Sequence, residues 1–337
     1  MSDSRGRVDA GADAERRDGA SVPTGLLGEG VETFERVLTG RSPGPLAVCG
    51  PPFGGRERVL ERAADRLGTD LLRLGPGDGA EPLLSALGDG PVVVDGCQHL
   101  YERRIGGFEP LDRVLRAVVE CDGVVVTGWN SYAWTYLARV RGIDRTFAAR
   151  TEIEPTAAAD LAALVLERYD EVPAFAPDEA DPDGLFASRR YVIGWRGHGL
   201  SVSVPVPNRA AVTASLADDN VDPQDVVFER LAAISKGNVG VATAIWEASR
   251  RDERRPSDIV ASGTDLDLDR EEAFCLRIVL LKERVERGEL TRIVDDTERV
   301  LGRLLRDGVV STADGVVQLE PTAVPTAVTE TERRGLH

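Results

Sequence analysis

Residues 46–67 read LAVCGPPFGGRERVLERAADRL and carry the clearest indication of the fold. This stretch opens with five small or apolar residues, 46–50, which are typical of a buried strand. Gly50 and Gly55 then frame a short loop, and a helical pattern of charged and apolar residues follows directly. A strand, a glycine-rich loop and a helix in succession predict a βα unit whose backbone amides can approach a ligand closely.

The same alternation continues on both sides of this stretch and predicts a larger sheet. Further apolar segments are LLRLG (71–75), PVVVD (91–95), GVVVTG (123–128) and ARTEIEP (149–155), and the predicted helices lie over 55–67, 80–87, 108–121 and 131–141. Continuous runs of valine and leucine indicate strands that are buried on both faces. Repeated βα units of this kind predict an α/β domain, a parallel sheet covered by helices.

Changes in composition and periodicity divide the chain into five parts. In chain order we predict a disordered N-terminus over 1–22, the α/β domain over 23–155, a helical domain over 156–255 with an insertion over 171–221, a winged helix-turn-helix over 269–320 and a flexible tail over 321–337. Within the insertion, Gly-flanked alternation in RYVIGWRGHGLSVSVPVP predicts a β-hairpin. Three helices and a hairpin turning at Asp314-Gly315 predict the winged helix.

The charge composition is strongly acidic. Asp and Glu number 57 against 41 Lys and Arg, which gives a net charge of -16, and only Lys236 and Lys282 are lysines. Such a composition resembles that of halophilic proteins from cells that accumulate molar salt, in which the Debye length falls to about 3 Å. The acidity therefore indicates solubility and does not decide for or against a nucleic-acid partner. The N-terminus lacks the apolar core of a secretory signal, so we predict a cytoplasmic protein with no membrane partner.

Residues 50–57, GPPFGGRE, resemble the phosphate loop of P-loop NTPases, whose consensus is GxxxxGK[ST]. Both framing glycines are present, and Gly54 allows the backbone to come close to a phosphate. Arg56 replaces the lysine, and Glu57 replaces the hydroxyl residue that holds magnesium. Arginine keeps the charge but is planar and bulkier, and Glu57 puts a negative charge in the first helical turn. Two interpretations follow: the loop still binds nucleotide, or it has lost the ability to bind nucleotide.

The next strands extend the resemblance to the AAA+ family. PVVVD ends at Asp95, where that family has the Walker B aspartate that holds magnesium through water, so Asp95 is the predicted metal residue. Gly96 replaces the catalytic glutamate, and a turn or capping role is the simpler interpretation of the nearby Gln98 and His99. Asn130 is the candidate for the polar sensor-1 position, with Thr127 as the alternative. Asn130 is also a suitable N-cap for helix 131–141, and the two roles are compatible.

Residues 141–169, RGIDRTFAARTEIEPTAAADLAALVLERY, are the most AAA+-like stretch. Arg145 lies where the family places an arginine finger, which completes the site of a neighbouring subunit by stabilising phosphoryl charge. An ordinary surface arginine is the alternative. In the last lid helix, Gly240 replaces the sensor-2 arginine, and Asn238 is predicted to cap the helix.

The resemblance covers residues 25–320 and is to the origin-initiator-like and STAND-like AAA+ ATPases. It implies a site for ATP or ADP with magnesium, and an oligomer is consistent with it. Because positions 56, 57, 96 and 240 all depart from the family pattern, we predict no catalytic residue and no efficient ATP hydrolysis. The predicted nucleotide-binding residues are Gly50, Pro51, Gly54, Gly55, Arg56, Glu57, Asp95 and Asn130.

Four arginines mark a second candidate surface in the predicted winged helix. Arg299, Arg303 and Arg306 share one face of the third helix, and Arg292 lies in the helix before it. Such a face suits DNA phosphates, and we therefore predict DNA as a partner. In the alternative interpretation, nearby carboxylates pair with these arginines and leave a neutral face for a partner protein. Those carboxylates belong to Asp295, Asp296, Glu298 and Asp307.

Three functional hypotheses follow from the sequence. The first is a pseudo-ATPase with a regulatory or scaffolding role, whose winged helix contacts DNA or a protein. The second is an active ATPase with an unusual phosphate loop. The third is a DNA-binding transcriptional regulator that uses the ATPase fold as a platform.

Overall fold

We describe a computed structural model of the chain. It describes residues 44–88, 90–169, 171–178, 186–195, 198–207, 222–249, 251–264 and 266–336, with only the backbone described over 186–195 and 198–207. The predicted disorder of residues 1–22 lies outside the described residues.

A five-stranded parallel sheet forms the centre of the first part of the chain. Its strands are β1 (Leu46–Gly50), β2 (Leu71–Arg73), β3 (Val92–Asp95), β4 (Val125–Asn130) and β5 (Ala149–Glu152). They are arranged in the order β2-β3-β4-β1-β5, and every neighbouring pair is parallel. Gly50 is paired with Asn130, so the ends of β1 and β4 lie side by side. The predicted strands and their parallel arrangement are confirmed.

Helices cover both faces of this sheet, as the continuous apolar strands require. They are α1 (Arg56–Leu67), α2 (Glu81–Ala86), α3 (Glu109–Glu120) and α4 (Ser131–Arg141). Alternate residues of β1 enter different clusters, because Val48 packs with Leu60 of α1 while Cys49 packs with Trp129 and Trp134. The predicted α/β fold class is confirmed.

The middle of the chain is helical. It contains α5 (Ala158–Leu166), α6 (Pro223–Ser235) and α7 (Val239–Ala248), together with the two-residue strands β6 (Ala174–Phe175) and β9 (Glu253–Arg254). Phe228 and Trp246 are fully buried and stack with their ring centroids 5.0 Å apart. The hairpin predicted in the insertion is confirmed as the antiparallel pair β7 (Phe186–Trp195) and β8 (His198–Pro207).

The predicted winged-helix segment forms three helices and a three-stranded sheet. The helices are α8 (Arg270–Lys282), α9 (Arg287–Thr291) and α10 (Thr297–Arg306), and the strands are β10 (Arg284–Glu286), β11 (Val310–Ala313) and β12 (Val316–Leu319). The apolar pattern of residues 271–287 in the sequence predicts one continuous helix, and this prediction is wrong. Glu283 has a positive φ of 64° and ends α8, after which Val285 pairs with Val317 of the hairpin. The Asp314-Gly315 turn is confirmed, with both residues at positive φ.

The flexible tail predicted over 321–337 is wrong for residues 321–336. A 3₁₀ turn over Pro321–Ala323 leads into α11 (Val324–Arg333). Val324, Ala327, Val328 and Thr331 recur at helical spacing and are buried against the C-terminal core. The threonines and prolines of this segment suggested a linker, but its apolar residues share one helix face.

Helix α8 joins the C-terminal segment to the central sheet. Leu281 packs into the core of the sheet, and the side-chain amide of Asn130 donates to the Leu280 carbonyl at 2.8 Å. The ammonium of Lys282, which is 2 % exposed, donates to the Tyr101 carbonyl. The end of α8 therefore lies at the sheet edge where the parallel strands finish. No helix among the described residues is long and apolar enough to cross a membrane.

Candidate functional site

The predicted phosphate loop connects β1 to α1 at the carboxyl edge of the sheet. Phe53 has φ 62° and Gly55 has φ 88°, and the Gly54 amide donates to the Pro51 carbonyl at 3.0 Å. No described side chain caps α1 at Gly55. The strand, loop and helix thus have the arrangement from which backbone amides surround an anion.

The guanidinium of Arg56 points back across this edge and is 7 % exposed. Its Nε donates to Asp95 Oδ1 at 2.7 Å, and its Nη1 donates to Glu283 Oε1 at 3.0 Å and to the Gly50 carbonyl at 3.3 Å. Nη2 faces Asp95 Oδ2 and Glu283 Oε2, each at 3.5 Å. Arginine has five N–H donors, and all five are directed at protein acceptors. We call Arg56, Asp95 and Glu283 the arginine triad.

Asp95, the predicted metal residue, lies next to the loop as expected but is engaged by other groups. Its Oδ1 accepts from the Gly96 amide at 2.7 Å in addition to Arg56 Nε. Among the described residues, no three His, Cys, Asp or Glu side chains form a cluster suited to a metal ion. Both carboxylate oxygens of Asp95 face Arg56, at 2.7 and 3.5 Å, so a magnesium ion held by Asp95 competes with the arginine.

The electrostatics of the arginine triad favour the charged arginine. Burial alone lowers the pKa of Arg56, but the carboxylates of Glu283 and Asp95 outweigh it and raise the pKa. One cation between two carboxylates leaves the triad with a net negative charge. A phosphate placed beside it meets that charge as well as an arginine without a free donor.

The loop is also held by the helical part of the chain. The side-chain amide of Asn238 donates to the Pro52 carbonyl at 2.8 Å, and the Gly240 amide donates to the Phe53 carbonyl at 3.2 Å. A Cβ atom built on Gly240 lies 2.3 Å from the Phe53 carbonyl oxygen, a distance that side chains do not tolerate. A side chain at position 240, such as the arginine that the family resemblance implies, is therefore excluded by the close packing of α7 on the loop. Asn238 caps α7, as predicted.

The remaining predicted nucleotide residues have structural partners. Glu57 accepts from Arg73 Nε at 2.6 Å, on the surface beside β2. Asn130 is fully buried, and its Oδ1 accepts from the amide of Tyr132 and so caps α4. Its other amide atom donates to α8, as described above. Thr127, the alternative sensor, donates to the Leu46 carbonyl.

Gln98 and His99 lie in a short 3₁₀ helix, Cys97–Leu100, that follows Asp95. Gln98 is 2 % exposed, and its side-chain oxygen accepts from the backbone amide of Asn130 at 3.2 Å. His99 Nδ1 is buried and has no partner among the described residues. Burial, with the nearby cations of Lys282, Arg284 and Arg56, lowers the pKa of His99 to about 3. The imidazole is therefore neutral at ordinary pH.

Arg145 ends a 3₁₀ turn over Ile143–Arg145 and is exposed. It makes no ion pair with any described residue, so its guanidinium is accessible from outside the chain. This placement agrees with both interpretations offered by the sequence, an arginine finger and a surface arginine.

The arginines predicted to bind DNA mostly pair with carboxylates. Arg299 Nε donates to Asp296 at 2.9 Å, and Arg299 Nη1 and Arg303 Nη1 donate to Glu272 at 3.0 and 2.8 Å. Arg292 donates to Glu102 at 2.9 Å. Glu272, at 1 % exposure, ties α10 to the start of α8.

The acidic partners in that face differ in part from those expected. Asp296 and Asp307 pair with the helix arginines as the alternative interpretation predicts, while Glu298 pairs with Arg287. Arg306 is exposed and makes no ion pair with a described residue. Most of this face is therefore neutralised within the chain.

Glu283 is the functional candidate that the sequence did not reveal. It lies 227 residues from Arg56 in the chain, and no local motif marks it. The sequence signal closest to it is the pair Lys282-Glu283 at the end of an apolar helix, which reads as an ordinary polar helix end.

Comparisons with known proteins identify no family for this chain. No family model and no curated protein matches the sequence. The RuvB Holliday junction branch migration motor of Thermotoga maritima is 14 % identical, with a TM-score of 0.38 over 87 % of this chain and 92 % of that chain. The ORC1 protein of Aeropyrum pernix, solved in complex with DNA, is 15 % identical, with a TM-score of 0.36 over 93 % and 95 %.

A STAND protein with a tetratricopeptide repeat sensor from Pyrococcus horikoshii is 11 % identical, with a TM-score of 0.34. The match covers 90 % of this chain and 43 % of that chain. These scores are too low to carry an argument about function. The sheet order and the loop between β1 and α1 are the observations that decide the fold. It is a P-loop NTPase-type fold. The residue that follows the loop, Arg56, belongs to the arginine triad.

Proposed function

We propose that this protein is a pseudo-ATPase: an AAA+-like module that does not turn over ATP and acts as a regulatory or scaffolding protein. The single observation that carries this proposal is the arginine triad, because every donor of Arg56 is directed at a protein acceptor. An arginine held in this way stabilises the fold and does not stabilise a phosphoryl group.

The position of the missing catalytic glutamate supports the same proposal. Gly96 has φ 83°, and a Cβ atom built on it lies 2.1 Å from the Leu74 carbonyl oxygen. A glutamate at this position requires a shift of the backbone between β2 and β3. A glutamate at position 96 therefore requires a change of the surrounding backbone as well as a new side chain.

For the C-terminal segment we propose a protein partner in preference to DNA. The arginines on α10 that suit DNA phosphates are paired with Glu272, Asp296 and Asp307, and the chain carries a net charge of -16. A DNA-binding face gains affinity by releasing counterions from phosphates, which requires cations that are not already neutralised. Arg145 is accessible to a neighbouring subunit, so an oligomer is part of this proposal.

Phosphate release from ATP tests the proposal. In molar KCl with magnesium, we expect no turnover above the protein-free rate, and the same result for Asp95→Ala and Arg56→Ala. Arg73→Ala, which removes an exposed arginine paired with Glu57, is the matched control. Turnover by the wild type that is lost in Asp95→Ala and kept in Arg73→Ala would establish the active-ATPase hypothesis instead.

Binding to a labelled DNA duplex tests the choice of partner. We expect no binding at 0.15 M salt, and no change when Arg299→Glu and Arg303→Glu are combined. Salt-dependent binding by the wild type that disappears in this variant would establish the DNA-binding regulator. The variant Arg145→Glu is the control for a general loss of positive charge.

A further inference from the structure

We infer that Glu283 is an autoinhibitory ligand of the phosphate loop, so that docking of the C-terminal segment and binding of an external anion at Arg56 exclude each other. This inference rests on the proposed function, since it explains what keeps the loop closed. The external ligand is a terminal phosphate group, and it displaces the Glu283 carboxylate from Arg56.

The division of donors in the arginine triad supports this exchange. Asp95 faces the Nε and Nη2 side of the guanidinium, and Glu283 faces its Nη1 and Nη2 end. An anion that replaces Glu283 therefore leaves the close Arg56–Asp95 contact intact. Asp95 remains to orient the arginine, while the end of the fork becomes available for two phosphate oxygens.

The charge balance makes the two occupants mutually exclusive. With Glu283 present, the triad already has two carboxylates for one cation. Adding a phosphate without removing Glu283 brings a third anion into a largely buried place, where like charges repel more strongly than in water. Removal of the Glu283 carboxylate leaves one cation and one anion, and this pair can accept a further negative charge.

The backbone of Glu283 shows that its position is under strain. Its φ of 64° and ψ of -46° fall close to the γ-turn region, which residues other than glycine rarely adopt. The amide of Glu283 donates to the Val279 carbonyl at 2.7 Å, and its carbonyl accepts from the Leu319 amide at 3.0 Å. The surrounding helix and hairpin hold the residue in this conformation, and its side chain is thereby directed at Arg56.

Release of Glu283 also affects its neighbours in the chain, because they contact the same edge of the central sheet. Lys282 forms a buried ion pair with Glu289 at 2.7 Å and also donates to the Tyr101 carbonyl, and the Leu280 carbonyl accepts from Asn130. These contacts join the end of α8 to the sheet edge beside the loop. A change at Arg56 is thus transmitted to α8, α9 and the hairpin, which together form the proposed partner-binding segment.

Titration of the full chain with pyrophosphate and with a fluorescent ATP analogue tests the inference. Glu283→Gln removes the charge and keeps the shape, and we expect it to bind both probes at least tenfold more tightly than the wild type. Glu298→Gln is the matched control, because Glu298 also pairs with an arginine of this segment, Arg287, but on the exposed surface. Binding of the ATP analogue alone would assign the affinity to the nucleoside part and would contradict a phosphate exchange.

Equal affinities for Glu283→Gln and the wild type, or an equal gain in Glu298→Gln, would overturn the inference. Should Glu283→Gln fail to fold, Glu283→Gly replaces it. Glycine also removes the carboxylate and adopts the positive φ of 64° without strain, and we again expect tighter binding of both probes. Hydrogen exchange over 276–286 supplies a second readout. We expect pyrophosphate to speed this exchange in the variant, and unchanged exchange at saturation would contradict the coupling.

The outcome for the proposed function is separate. Binding by Glu283→Gln without ATP turnover supports both proposals, while the absence of any gain overturns only the autoinhibitory role. ATP turnover by the wild type overturns the proposed function whatever Glu283→Gln binds.

Discussion

At the scale of single residues, position 56 shows how one substitution changes the role of a whole loop. A lysine ammonium is a compact point charge on a flexible stem, whereas a guanidinium presents five donors in a planar fork. Arg56 uses that fork to join β3 and the end of α8 to the loop. The sequence locates the glycine-framed loop and the strand that ends at Asp95, because both follow from local patterns. It does not predict Glu283, because an ion pair over 227 residues depends on tertiary packing.

His99 gives a prediction about pH. Its pKa is about 3 in the folded chain and about 6.5 when exposed, so below pH 6.5 the unfolded chain binds a proton that the folded chain does not. Stability is therefore lost as the pH falls, by about 2 kcal/mol between pH 7 and pH 5. We expect His99→Gln to remove this part of the pH dependence in urea unfolding. An identical pH slope in wild type and variant would show that His99 is protonated in the fold.

Gly240 and Gly302 form a matched pair of glycines in helices. A Cβ at Gly240 meets the Phe53 carbonyl oxygen at 2.3 Å, whereas one at Gly302 meets nothing within 4 Å. We expect Gly240→Ala to destabilise the fold by about 1–3 kcal/mol through forced displacement of the loop. Gly302→Ala should stabilise it by about 0.5–1 kcal/mol, since alanine favours helix interiors. Chemical denaturation of both variants measures this, and equal effects would contradict the close approach of α7 and the loop.

At the scale of elements, the strands of the central sheet were predictable and the C-terminal elements were less so. Runs of valine and leucine such as 92–95 specify buried strands by composition alone. The end of α8 was not predictable in this way, because residues 271–287 keep a helical pattern through the turn at Glu283. The hairpin edge that pairs with 284–286 sets that boundary, and this pairing is a tertiary contact.

The packing of helix α11 predicts a loss of unfolding free energy that a flexible tail would not show. Val328 is 2 % exposed and Thr329 next to it is exposed. We expect Val328→Ala to lower the free energy of unfolding by about 2 kcal/mol, because it removes two buried methyl groups. Thr329→Ala, the control, should change it by less than about 0.5 kcal/mol. If both variants unfold like the wild type, residues 324–333 do not pack against the C-terminal core.

At the scale of the whole molecule, salt distinguishes two classes of ion pair. Arg73 and Glu57 are each more than half exposed, so their attraction is screened in molar KCl. Arg56 and Glu283 are 8 % and 21 % exposed at their side chains, and they are screened much less. At molar salt, the ion pairs that join the parts of this chain are therefore the buried ones.

Arg56 holds the C-terminal segment to the sheet through Glu283, and a double-mutant cycle measures the strength of this contact. The free energy of unfolding is measured in 2 M KCl for the wild type, Arg56→Met, Glu283→Gln and the double variant. We predict a coupling energy of about 2 kcal/mol, with less than about 0.5 kcal/mol for the corresponding Arg73 and Glu57 cycle. A coupling at Arg56 and Glu283 no larger than that of the exposed pair would contradict the claim.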